Sequence, residues 1–224
     1  MHFVFHLEDP SGEKLLECIL PNIIGDSTFQ VIGYRGAGSL HLKKLNMGSP
    51  RKGLTFARGA WKRGLLDELP GKLRAYGKEF ATYGPDFSAV FILVCDLDDK
   101  NYDEFIAELN TVLDACNPKP VTHFCIAIKE TEAWFLGDIT AIQSEYRILK
   151  PLAYKDELVY GTWERLADAI YPGGSVALNA KGYSEVGKTK SEWAQKITPH
   201  MNPELNQSPS FLHFYNTVKT LAGR

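Results

Sequence analysis

Apolar positions change their spacing several times along the 224 residues, and each change marks a boundary between a strand and a helix. Residues 3–7 form a short β-prone run. Glu8-Asp9-Pro10-Ser11-Gly12 breaks it, with Ser11 placed to cap a following helix. Residues 13–24 carry Leu15, Leu16, Ile19, Leu20 and Ile23 at helical spacing, and Pro21 is expected to loosen or kink the end. Residues 29–34 read as a second strand, closed by the turn Gly36-Ala37-Gly38-Ser39. Residues 60–80 read as a helix weakened at Gly64, Pro70 and Gly71.

The run AVFILVC over residues 89–95 is almost wholly apolar. A strand apolar on both faces belongs inside a sheet covered by helices, typically a parallel one. It ends abruptly in Asp96-Leu97-Asp98-Asp99. Residues 102–116 follow as an amphipathic helix with Phe105, Ile106, Leu109, Val112 and Leu113 inward, stopped by Pro118 and Pro120. Residues 121–128 are another buried strand, ending in Glu130-Thr131-Glu132 and leading into a helix with Trp134, Phe135 and Leu136. Beyond about residue 139 the strand signals fade, and 162–170, 191–201 and 208–221 read as helices, the last capped by Ser208.

This order predicts an α/β fold, a mostly parallel sheet flanked by helices, with a helical C-terminal portion. Residues 1–140 are expected to form the α/β core, and 141–224 a helical extension packed on it in one compact unit. A composition of 44% hydrophobic and 23% charged residues excludes a disordered chain, and the length suits one domain with a proper core. The four cysteines show no C-x-x-C pair and demand no disulfide, so a reducing cytoplasm is the expected compartment. No run is long enough to span a membrane, and the N-terminus turns acidic too soon for a signal peptide.

The net charge of −2 argues against a general polyanion binder, but the charges are segregated. Arg35, Lys43, Lys44, Arg51, Lys52, Arg58, Lys62, Arg63, Lys72, Arg74 and Lys78 follow one another with only Asp67 and Glu68 between them before Lys78. Lys181, Lys188, Lys190 and Lys196 form a second basic group. Such a layout suits a centre that holds cations with phosphates around it, and equally suits solvated helix faces. On the first reading, Arg35, Lys43, Lys44, Arg58, Lys62, Arg63 and Lys190 are candidate nucleic-acid contacts.

Three predicted strands end in acid: Glu8, then Asp96 with Asp98, then Glu130 with Glu132. Ligands of open parallel sheets bind at the carboxyl ends of strands, so neighbouring strands would bring these side chains together. Crowded carboxylates repel unless a cation neutralises them, and an all-oxygen donor set favours Mg²⁺ or Mn²⁺ over zinc. Residues two apart in extended chain point to the same side, so Asp96 and Asp98 would grip an ion together while Leu97 turns into the core. The plainer reading is that Asp98 and Asp99 cap the next helix.

An acid after the first strand and D-x-D after a buried central strand resemble the signature of Toprim domains, found in topoisomerases, primases and overcoming-lysogenization-defect (OLD) nucleases. More closely, the chain resembles a family of small bacterial Toprim-like proteins often encoded beside an ABC-type ATPase. FHLEDPSGE, ILVCDLDD, KETEAWFLGD, GKTKSEWAQKI and SPSF carry that resemblance. It implies that Glu8 is a metal ligand or general acid/base, that Asp96 and Asp98 hold Mg²⁺, that Glu132 serves a second metal, and that Lys188 stabilises the phosphate in flight. OLD-type sites often have a second glutamate one helical turn after the first; here that place is Gly12, and Glu13 stands one residue further on.

Several other residues invite chemistry. His6 and Trp134 are read as structural, and His123 and His200 have no partner at ligand spacing. Gly182…Gly187-Lys188-Thr189 copies the Walker A spacing, but no buried strand precedes it. Lys188 and Lys190 are expected on or near a flexible loop that would suit a phosphate.

The resulting expectation is an Mg²⁺-dependent nuclease of bacterial anti-phage defence, OLD-like or PARIS-like, controlled by a partner ATPase. The alternative is a catalytically weak Toprim-fold module that assembles with the ATPase. Phosphotransfer on a small nucleotide ranks last, because the chain is too small for a separate polymerising domain.

Overall fold

The structure is a computed structural model and describes residues 1–8, 10–40, 64–84, 86–128, 130–154 and 161–224. The expected α/β architecture is present. Four strands, β1 (His2–Leu7), β2 (Thr28–Gly33), β3 (Ala89–Asp96) and β4 (Thr122–Ala127), form an all-parallel sheet in the order β2-β1-β3-β4.

Helix α1 (Pro10–Ile24) joins β1 to β2, and α3 (Tyr102–Asp114) joins β3 to β4. Between these units runs α2 (Leu65–Phe80), at the end of the chain's passage from β2 towards β3. Alternation within the strands divides the core in two. Phe3, Phe5, Leu7, Val90, Ile92 and Val94 face α1, whereas Val4, Phe91, Leu93 and Cys95 face α2 and α3. Every residue of β3 is buried, which is why its sequence lacks polar alternation.

The remaining helices are α4 (Glu132–Leu136), α5 (Ile139–Glu145), α6 (Thr162–Ile170), α7 (Gly174–Asn179), α8 (Tyr183–Ile197) and α9 (Pro209–Leu221), with a 3-10 turn at Thr198–His200. The C-terminal helices cover the α1 face: Leu166, Trp193, Phe211, Phe214 and Val218 join the same apolar cluster as Phe3 and Phe5. Trp134 anchors this packing. Its ring stacks on Phe214 at 5.1 Å between centroids, and its indole N–H donates to Ser210 Oγ at 2.9 Å.

Three helices depart from expectation. Helix α8 begins at Tyr183 and not at residue 191, because Val186, Thr189, Trp193 and Ile197 already make one continuous buried stripe. Gly187 lies on the exposed side of that helix, where its lower helix propensity costs about 1 kcal/mol without breaking the element. The Walker-like spacing therefore sits within a helix and forms no phosphate loop, and Lys188 and Lys190 lie on α8 instead of on a loop. Helices α5 and α7 are too short to leave a clear periodic signal. Asp138 caps α5 by accepting from the Ala141 N–H at 3.1 Å.

Candidate functional site

The strand order makes a crevice before any side chain is considered. The chain leaves β1 over one face towards β2, and leaves β3 over the other face towards β4. Crossovers that part in opposite directions open a gap at the carboxyl ends of β1 and β3, the usual ligand position in open α/β sheets. Glu8 follows directly on β1, and Asp96 closes β3.

These two acids meet. One carboxylate oxygen of Glu8, Oε2, accepts from the Asp96 backbone N–H at 3.2 Å. A narrow cleft there is lined by Leu7, Glu8, Gly12, Val94, Cys95, Asp96 and Thr131, and in this form it leaves no room for a free water molecule. Negative charge is concentrated around it. Burial pushes the Cys95 thiol well above its usual range, and the charges of Glu8 and Asp96 push it further.

Asp98 is placed differently from the expectation of an extended D-x-D. Leu97 does turn into the core, with its N–H donating to the Ala127 carbonyl. The chain then bends: Asp98 has φ of 53°, and its half-exposed carboxylate lies 3.4 Å from Lys100 Nζ. The N-cap of α3 is Asn101, which accepts from the Glu104 N–H at 3.1 Å.

The acids after β4 divide. Glu130 accepts from the Thr162 hydroxyl and, at 3.3 Å, from the Trp163 N–H, which ties it to the first turn of α6. Glu132 is fully buried at the start of α4. Its Oε1 lies 3.5 Å from the hydroxyl of Ser11, a first-turn residue of α1 and not its cap, and its Oε2 lies 3.1 Å from Lys190 Nζ. Lys190 is thus the lysine that enters the acidic region. Lys188, two residues away and so roughly 200° around the helix, is exposed.

Sequence reasoning offers Thr131 or Glu130 as the start of the helix carrying Trp134 and gives Thr131 no part in the site. It occupies the residue before α4, yet its backbone is helical at φ −61° and ψ −22° and its hydroxyl caps nothing. The residue is 6% exposed, and Oγ1 is buried without a hydrogen-bond partner. A buried hydroxyl left so costs about 1–3 kcal/mol. The only sequence signal was its place between two glutamates at a strand end.

Arg35 is exposed just past β2, on the same sheet edge, between Tyr34, whose N–H donates to the Leu7 carbonyl, and Gly36, whose N–H donates to the Glu8 carbonyl. Lys43, Lys44, Arg58, Lys62 and Arg63 lie outside the described residues. Glu13, the acid one place beyond Gly12, turns towards Gly33 at the end of β2. His6 is packed on the other face, bonded to the Tyr34 and Tyr76 hydroxyls at 3.0 and 3.1 Å.

Comparison with family models, curated proteins and solved structures gives no match. The metal question therefore rests on the residues themselves. Among the described residues, no three or more His, Cys, Asp or Glu side chains are grouped to hold an ion. The donors fit a hard divalent cation in kind, since Glu8, Asp96 and Asp98 offer only oxygen, and Glu8 and Asp96 line one cleft.

Proposed function

We propose that this chain is a metal-dependent phosphodiesterase acting on nucleic acid, with Glu8, Asp96 and Asp98 as its acidic centre. One observation carries the reading. The Glu8 carboxylate reaches the Asp96 backbone at the switch point of the sheet, and both residues line the cleft there. Two acidic residues lining one narrow cleft at a ligand-binding edge favour the binding of a cation there.

Glu8, Asp96 and Asp98 would hold Mg²⁺ or Mn²⁺, which supplies a Lewis acid and an activated water. Glu8 has its carboxylate oriented by the Asp96 N–H, and this suits it to receive a proton from an attacking water. Exposed Arg35 and Lys188 offer charge to flanking phosphates. The resemblance to Toprim-like proteins encoded beside an ABC-type ATPase extends the proposal to control by such a partner in anti-phage defence.

A catalytically weak module that assembles with the ATPase is the second reading. It is favoured by Asp98, whose carboxylate is turned to Lys100 and away from a shared three-acid group. Incubating the purified chain and its Asp96→Ala variant with DNA and RNA, with and without Mn²⁺, separates the two. The nuclease reading expects metal-dependent cleavage that falls about 100-fold or more in the variant. Equal inertness of both proteins, alone and with the adjacently encoded ATPase, leaves the module reading.

A further inference from the structure

Thr131 lines the cleft with Glu8, Gly12 and Asp96, and its hydroxyl has no hydrogen-bond partner among the described residues. Three ordinary uses of a threonine there are absent. It does not cap α4, it does not reach solvent, and it donates to neither neighbouring carboxylate. A valine would fill the same space without the desolvation cost. A hydroxyl kept in such a place is repaid when a polar ligand enters.

The chemistry of the cleft limits what that ligand can be. Glu8 and Asp96 exclude an anion and attract a cation. A small divalent cation dehydrates reluctantly and carries several of its waters into a protein site. Those waters point their hydrogens outward and need acceptors. Thr131 lines the same cleft as the two acids, its Oγ1 has unused lone pairs, and it is neutral, so it offers an acceptor without adding repulsion.

We propose that Thr131 is a positioning residue of the acidic centre, its Oγ1 accepting a hydrogen bond from a water carried by a divalent cation that Glu8 and Asp96 bind. This rests on the metal reading above and assigns a role to a residue outside that reading. The cleft leaves no room for a water molecule in this form, so it must widen to admit the hydrated ion.

The test compares the wild-type chain with Thr131→Val, Thr131→Ser and Asp96→Asn. Mn²⁺ affinity is read by calorimetry or by the loss of free-ion electron paramagnetic resonance signal, and the metal-free melting temperature is read alongside. Loss of one hydrogen bond predicts about tenfold weaker Mn²⁺ binding in Thr131→Val, ~1.4 kcal/mol, with a metal-free melting temperature equal to or above wild type. Thr131→Ser restores binding to within about twofold of wild type. The proposal is overturned if Thr131→Val binds Mn²⁺ as wild type does while Asp96→Asn does not; the metal reading then survives without Thr131. It is overturned together with that reading if wild type takes up no Mn²⁺, or if Asp96→Asn binds it equally well.

Discussion

Lys190 Nζ lies 3.1 Å from Glu132 Oε2, and the two side chains are 17% and 0% exposed. The pair joins α8 to α4, and through Ser11 it reaches α1, so one buried charge contact links three elements behind the acidic cleft. Other acids stand nearby. The Glu164 carboxyl is held above its usual range by burial first, with Glu130 adding and Lys190 opposing.

The two partners are not equivalent. Lys190 can extend its flexible stem towards water, whereas Glu132 cannot leave the core. Removing the lysine strands a buried carboxylate, which costs about 3–5 kcal/mol, while replacing both charges is close to neutral. Lys190→Met is therefore expected to lose about that much stability in urea unfolding, and adding Glu132→Gln is expected to restore most of it. If Lys190→Met lost under 1 kcal/mol, the contact would be a surface pair in effect, and the lysine would be available to phosphates.

His6 gives a prediction in pH. Burial holds its imidazole down at about 3 from an ordinary 6.5, with the charge of Lys72 adding to the effect. The folded chain keeps His6 neutral over that window, and the unfolded chain takes up a proton there. Stability due to this residue is thus intact above pH 6.5 and is lost as pH falls towards 3, by about 1.4 kcal/mol for each pH unit. Urea unfolding of wild type and His6→Phe between pH 7 and pH 5 checks this. The stability of wild type should fall more steeply with acid, and parallel curves would show that the imidazole takes up its proton in the fold as readily as in the unfolded chain.

The sheet, and the places of Glu8 and Asp96 at its carboxyl edge, were legible in the sequence for a physical reason. Strands buried on both faces leave unbroken apolar runs, and an acid ending such a run must lie at a sheet edge. Helix phase was harder to read. With α8 taken to start at residue 191, Lys188 and Lys190 had no defined directions. With its start at Tyr183 they point to opposite sides, and only Lys190 reaches Glu132. The α1 stripe was equally legible, but its partners Trp193, Phe211 and Phe214 are far along the chain, and no local pattern reveals such a pairing. Thr131 was hidden because its interest lies in a bond it does not make.

Asp98 tests whether the acidic centre costs the fold something. At φ of 53° it occupies the left-handed region, which glycine accepts freely, which aspartate and asparagine tolerate, and which is adverse for other side chains. Its contact with Lys100 is exposed, and exposed pairs contribute little. The left-handed backbone is met by glycine at least as well. Asp98→Gly is expected to match wild-type stability or exceed it by up to ~1 kcal/mol, whereas Asp98→Ala loses about 1 kcal/mol through backbone strain. If the carboxylate is the third donor to a divalent ion, Asp98→Gly also weakens Mn²⁺ binding by tenfold or more, so affinity and stability move in opposite directions. A glycine variant with undiminished Mn²⁺ affinity would leave Glu8 and Asp96 as the whole acidic centre, and Asp98 as a turn residue.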